Sequence, residues 1–153
     1  MGLCGSQKTA SQLLWEEIKN EDAPRMKKIR KLLSYGASVN YSEMPGYDTM
    51  LHSIVSQQCS SDQGRVSQAG LSLIKFFVSK GARTKAVAKK YNGTVLNLCI
   101  SRGNAPLVVY FIQNGFDMSV LNSFGETPIS QAIEDSKSRR MLGVVLGAIH
   151  HEE

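Results

Sequence analysis

No run of apolar residues in this 153-residue chain reaches the roughly 18 needed to span a bilayer. No charged-then-apolar leader with a small-residue cleavage site opens it. Both absences predict a chain that stays in the cytosol or reaches a membrane by another route. Cysteine is scarce: Cys4, Cys59 and Cys99 are an odd number without regular spacing. That argues against a disulfide framework and predicts a reduced compartment. Acidic charge is nearly missing from the middle of the chain. Residues 51–100 carry seven basic side chains and one acidic, against seven and six in 1–50 and four and six in 101–153. The whole net charge of +5 therefore sits in the middle, chiefly on Lys75, Lys80, Arg83, Lys85, Lys89 and Lys90. A patch of this kind favours an acidic partner or an anionic surface, or serves only as a solvated face.

Catalytic signatures are missing as well. Neither Cys59 nor Cys99 has a histidine at a recognisable motif spacing. No glycine loop suited to cradling phosphate is present. His150 and His151 stand beside Glu152 and Glu153, too few ligands for a metal site. No enzyme, cofactor or metal is expected. Nucleic-acid binding is the stronger rival, because Tyr91 and Tyr110 lie near basic residues and rings can stack on bases. No nucleic-acid motif accompanies them, and the acidic C-terminal third interrupts any basic track.

What is present is a repeat. A glycine-plus-apolar pair recurs at Gly36-Ala37, Gly81-Ala82 and Gly115-Phe116, at intervals of 45 and 34 residues. A threonine opening a short apolar run recurs at Thr49, Thr94 and Thr127, at intervals of 45 and 33. A period of about 33 residues with an insertion of about 11 or 12 in the second unit explains both series. The inserted segment, around 57–67, is rich in Ser, Gln, Asp and Gly and reads as a surface loop that lengthens the flanking helices in part. Apolar content of 42% and charged content of 20% are ordinary globular usage and fit one domain.

One unit shows the physics. Leu96, Leu98, Cys99 and Ile100 supply a mostly buried short helix. Pro106 sits in the first turn of a second helix, where its missing N–H is not needed. Leu107, Val108, Phe111 and Ile112 form that helix's apolar stripe. Gly115 ends it as a left-handed cap. Two short helices cannot bury these faces alone, but stacked copies can. In the first unit, Asn20 or Asp22 is expected to cap a helix that starts near Pro24.

From Thr94 to Asp117 the chain resembles, without a gap, the ankyrin repeat, whose units read roughly GxTPLHxAAxxGHxxxVxxLLxxGAD. The second unit supplies Thr-Met-Leu-His at Thr49–His52. The fourth supplies Gly125-Glu126-Thr127-Pro128-Ile129. The first ends in Leu32-Leu33-Ser34-Tyr35-Gly36-Ala37-Ser38-Val39-Asn40. The resemblance covers about residues 11–148. It implies an all-α solenoid of about four helix–turn–helix units joined by β-turn-like loops, with limits near 11–40, 46–86, 92–119 and 124–149. Residues 1–10 are expected to be a flexible N-terminus and 150–153 a tail. The end units should carry polar outer faces.

The resemblance implies a monomeric, non-enzymatic scaffold or adaptor that binds another protein. It makes Thr49, His52, Gly93, Thr94, Gly115, Gly125, Thr127 and Pro128 structural. Asn97 and Ser130 replace the motif histidine in later units, so those turns are expected to be less firmly tied. It places Cys99 at a small core position. Partners of this family meet the loop tips and the exposed side of each first helix. That maps to Met44, Tyr47, Asp48, Ser56 and Gln57 in unit two. In unit three it maps to Tyr91, Asn92, Ser101 and Arg102, and in unit four to Ser123, Phe124, Glu126, Glu134 and Asp135. Tyr47, Tyr91 and Phe124 carry the physical argument, as rings at loop positions where the core cannot use them.

The N-terminus, Met1-Gly2-Leu3-Cys4-Gly5-Ser6, fits the M-G-x-x-x-[ST] pattern for myristoylation of Gly2. One such chain binds membranes marginally and needs a second signal. Cys4 is a candidate palmitoyl acceptor, and the basic run Arg25–Lys31 a candidate electrostatic one. This predicts attachment to a cytosolic membrane face, with an anionic membrane surface as a second partner.

Overall fold

The computed structural model describes residues 6–20, 24–59, 65–134 and 139–150. Gly2, Cys4, Asp22 and Asp135 lie outside the described residues. The helices are α1 (Ala10–Lys19), α2 (Met26–Ser34), α3 (Met50–Cys59), α4 (Gln68–Ser79), α5 (Val95–Arg102), α6 (Ala105–Gln113), α7 (Pro128–Glu134) and α8 (Arg139–His150). The described residues contain no strand, only one isolated antiparallel bridge between Ala88 and Gly93.

Local chemistry fixes most helix starts. Thr9 and Gln12 form a reciprocal capping box at α1. Thr94 and Asn97 do the same at α5. Ser67 accepts from the Gly70 N–H at α4, and Asn104 from the Leu107 N–H at α6. Each satisfies an N–H that has no partner within its helix. Helix α2 differs from expectation. Asn20 ends α1 instead of opening α2, and Arg25, the first flanking residue, makes no side-chain cap. Its backbone N–H donates to a carboxylate borrowed from α1, Glu17, at 3.0 Å.

The same device closes the second helix of units one to three. Gly36, Gly81 and Gly115 have φ of 89°, 89° and 75°. The next residue reaches back to the helix: Ala37 to Leu32 at 3.1 Å, Ala82 to Phe77 at 3.0 Å and Phe116 to Phe111 at 3.0 Å. A side chain at these glycines would meet no neighbour, so the backbone angle alone requires glycine.

First helices α1, α3, α5 and α7 stack into one layer, and each packs on the second helix of its own unit. The second helices form the layer behind. Leu14, Ile18, Ile54, Phe77, Leu96, Ile100 and Phe111 fill the space between, each at 1% exposure or less. The insertion does lengthen its neighbours: α3 and α4 have 10 and 12 residues where α5 and α6 have 8 and 9. The last unit departs from the polar outer face expected of a cap, since Ile133 is 54% and Leu146 42% exposed.

Candidate protein-interaction surface

Long loops join the units and bond to one another. The Lys89 N–H donates to Gly46 O at 3.0 Å, Lys90 N–H to Tyr47 O at 3.0 Å and Ser123 N–H to Asn92 O at 2.9 Å. The loop tips therefore form one continuous edge. Positive φ at Gly46 (80°), Asn92 (57°) and Gly125 (77°) turns each tip. Asparagine tolerates this region better than other side-chain residues.

Behind the edge lies a buried polar seam. The His52 N–H and Nδ1 both meet Thr49 Oγ1, at 3.0 and 2.7 Å, and Nε2 reaches Gly93 O at 2.8 Å. A carbonyl can only accept, so Nε2 carries the proton and Nδ1 accepts from the threonine hydroxyl. Burial pushes the imidazole pKa down from 6.5. His52 thus ties unit two to unit three. Asn97, the residue in its place one unit later, is also firmly tied, contrary to expectation. It completes the Thr94 box, and its Nδ2 donates to Gln131 Oε1 at 2.9 Å while Gln131 Nε2 donates to Asn97 O at 3.2 Å. At Ser130 the bond is local, to Thr127.

Two residues expected on the outer surface belong to this seam. Asp48 is 2% exposed. It accepts from the Thr49 N–H and the Ser53 hydroxyl, and it pairs with Lys19 of unit one and Lys90 of unit three. A carboxylate so buried persists only with cations and donors around it. Tyr91 is half-buried and stacks on His52, centroids 5.5 Å apart and 10° between planes. Asp48 is buried where an exposed contact was expected, while Tyr91 is partly covered and also lines a cleft.

The remaining residues spread along the edge and the first-helix face. Met44 (56%), Tyr47 (42%) and Phe124 (72%) are exposed apolar tips. Ser101, Arg102, Asn92, Ser123 and Glu134 are exposed; Ser56 and Glu126 are half-buried. Gln57 is exposed, and its amide is already engaged with Ile18 O at 2.8 Å. Between units three and four the surface opens into a cleft of about 370 Å³. It gathers Tyr91, Asn92, Ser101, Phe124, Glu126 and Glu134. Among the described residues neither carboxylate meets a cation.

Sequence reasoning missed three features here. Asn122 shapes the Phe124 tip, its Oδ1 accepting from the Phe124 and Glu126 N–H groups at 2.9 Å each. Its signal was an Asn three residues before the turn glycine. Gln131 closes the base of the cleft. Cys59 and Cys99, 40 residues apart, meet with sulfurs 3.9 Å apart, and burial pushes the Cys99 thiol well up. Among the described residues no group of three or more His, Cys, Asp or Glu could hold a metal.

No family model matches the chain. A stretch of 62 residues is 34% identical to palmitoyltransferase ZDHHC13 of Homo sapiens and of Pongo abelii, covering 40% of this chain and 10% of those proteins. In the Mus musculus protein the match is 34% over 59 residues. The chain thus spans about a tenth of the length of the curated relatives it matches. Among solved structures it is similar to the ankyrin repeat domain of Bcl-3, described as a unique member of the IkappaB protein family. The TM-score is 0.67 at 21% identity, covering 94% of this chain and 57% of that one. The stacked helix pairs, the repeated glycine cap and the linked loop edge are the ankyrin-repeat fold.

Proposed function

We propose that the chain is a non-enzymatic protein-recognition module, a scaffold or adaptor, whose partner lies along the loop edge and anchors in the cleft between units three and four. One observation carries this reading. Phe124, 72% exposed, stands beside Glu126 and Glu134, two carboxylates that meet no cation among the described residues. Aromatic side chains are costly to expose and frequent as anchors of binding energy. A partner segment combining basic and apolar side chains suits the site.

Affinity capture from the native cell, followed by mass spectrometry, names the partner. Phe124→Ala and Glu134→Lys should each weaken that complex about tenfold or more and leave the melting temperature within error. Retained affinity in both variants removes the cleft from the interface.

The N-terminal pattern supports a second element, acylation of Gly2, with Cys4 as a further acceptor, at the cytosolic face of a membrane. No described helix is long and apolar enough to cross a membrane, and an acyl chain is one means of attachment that needs no spanning helix. Gly2→Ala should lower the membrane-bound fraction. An intact mass from eukaryotic cells without the acyl increment disposes of the idea.

A further inference from the structure

The two layers of the solenoid differ in charge. Helices α2, α4, α6 and α8 contain no Asp or Glu at all. Every described carboxylate lies elsewhere: Glu16, Glu17 and Glu134 on first helices, and Glu43, Asp48, Asp117 and Glu126 in loops. On the outer layer stand Lys27, Arg30 and Lys31 of α2 and Lys75 of α4, with Lys80 and Arg83 following α4, all exposed. None of the six meets a carboxylate among the described residues. Three of them lie over rings that belong to this layer. Arg30 and Lys80 sit 4.7 and 5.6 Å from the Phe76 centroid, and Lys75 lies 5.5 Å from Tyr110 of α6. These contacts join α2, α4 and α6 into one face.

Toward the other end the face turns apolar. A groove of about 430 Å³ runs between α6 and α8. Its walls are Pro106, Val109, Gly143, Val144 and Gly147, with Gln113 the one amide side chain. We infer that this outer face docks on an anionic bilayer, the cations meeting lipid headgroups and the α6–α8 groove meeting the acyl boundary. An acidic peptide or a nucleic acid would match the cations alone. A bilayer offers negative charge and apolar contact in one plane. The face lies opposite the loop edge, so the inference stands apart from the protein-recognition reading and needs no acyl chain.

The test uses the full chain without acylation, sedimented with vesicles. It should bind phosphatidylserine-containing vesicles, fail to bind pure phosphatidylcholine, and release as salt rises. Replacing Lys27, Arg30, Lys80 and Arg83 together with Gln should weaken binding at least about a hundredfold. Removing charge off the face, with Lys89→Gln and Arg102→Gln, should change it by no more than a few-fold. Gly147→Glu puts a charge into the groove where a side chain meets nothing within 4 Å. It should weaken binding several-fold, while Gly147→Ala retains it. Melting curves matching the parent show that the variants fold. Equal binding to both vesicle types, no binding to the anionic ones, or indifference to the four-residue variant overturns the inference. So does indifference to Gly147→Glu, since a purely electrostatic ligand needs only the cations. A DNA duplex that binds the face more tightly than the vesicles overturns it too.

Discussion

His52 shows what one side chain does in this fold. It spans two units with three hydrogen bonds and supports the Tyr91 ring. His52→Ala should cost about 2–4 kcal/mol, since it removes the two imidazole bonds and opens a space below the ring. His52→Asn, copying the residue used one unit later, should cost less, because an amide oxygen can still accept from the threonine hydroxyl, as Asn97 does from Thr94. The bonding also predicts a pH dependence. Burial lowers the folded-state pKa from 6.5, so the unfolded chain binds the proton more readily. The stabilisation is complete above about pH 6.5 and is lost as pH falls through the depressed value. Melting temperatures should fall between about pH 7.5 and 5.5, and less steeply in the Asn variant. Equal slopes would exclude His52 as the source. Tyr91 and Phe124 separate in the same way. Tyr91→Ala should lower the melting temperature, while Phe124→Ala, at a position 72% exposed, should not.

Among the helices, α2 takes its start from a neighbour. Glu17, 3% exposed, accepts from the Arg25 N–H and pairs with Arg25 and Lys28. The Arg25 guanidinium, with Lys28, holds the carboxyl down to about 2 against the burial that raises it. This depressed value gives stability that is present above the ordinary 4.5 and lost as pH falls through about 2. Glu17→Gln should therefore cost about 1–3 kcal/mol at neutral pH and flatten the acid limb of a pH–stability curve. A helix-stripe change tests packing instead. Leu96→Ala, at 1% exposure, should cost about 2–5 kcal/mol in chemical denaturation. At the repeated cap, Gly115→Val should cost more than Gly115→Ala, because the φ of 75° strains a β-branched residue most.

On the scale of the molecule, stability is a sum of neighbours. Each unit packs on its neighbours, first helix on first helix, loop on loop and α6 on α8, so the stack has no central core to fall back on. Deleting residues beyond 119 would strip α7 from α5 and α8 from α6 and leave the Asn97 amide without Gln131. The shortened chain should melt lower and aggregate, as followed by light scattering on heating. The exposed Ile133 and Leu146 of the fourth unit pose a smaller version of that hazard. The expectation of a polar end face failed because α7 and α8 carry the same apolar stripes as internal helices, and the described residues place no further helix against them.

The fold was legible in the sequence because its cause is local and repeated. A threonine opens a turn, an apolar stripe follows, and a glycine at positive φ closes it, with each signal within about one repeat length. Gly115, Pro106 and the Leu96–Ile100 segment could be read without knowing any neighbour. Asp48, Tyr91 and Glu17 could not. Their roles depend on Lys19, Lys90, His52 and Arg25 arriving from other helices or loops, and no pattern along the chain records which cations a carboxylate will meet. The same holds for Cys59 and Cys99, brought together only because α3 stacks on α5. The sequence by itself determined the units, their order and the residues that turn them. Stacking alone decided which polar residues became the seam, which ring stayed exposed, and that so many cations gathered on the outer layer. The reason is that burial and charge pairing are properties of surfaces in contact, and those contacts join residues far apart along the chain.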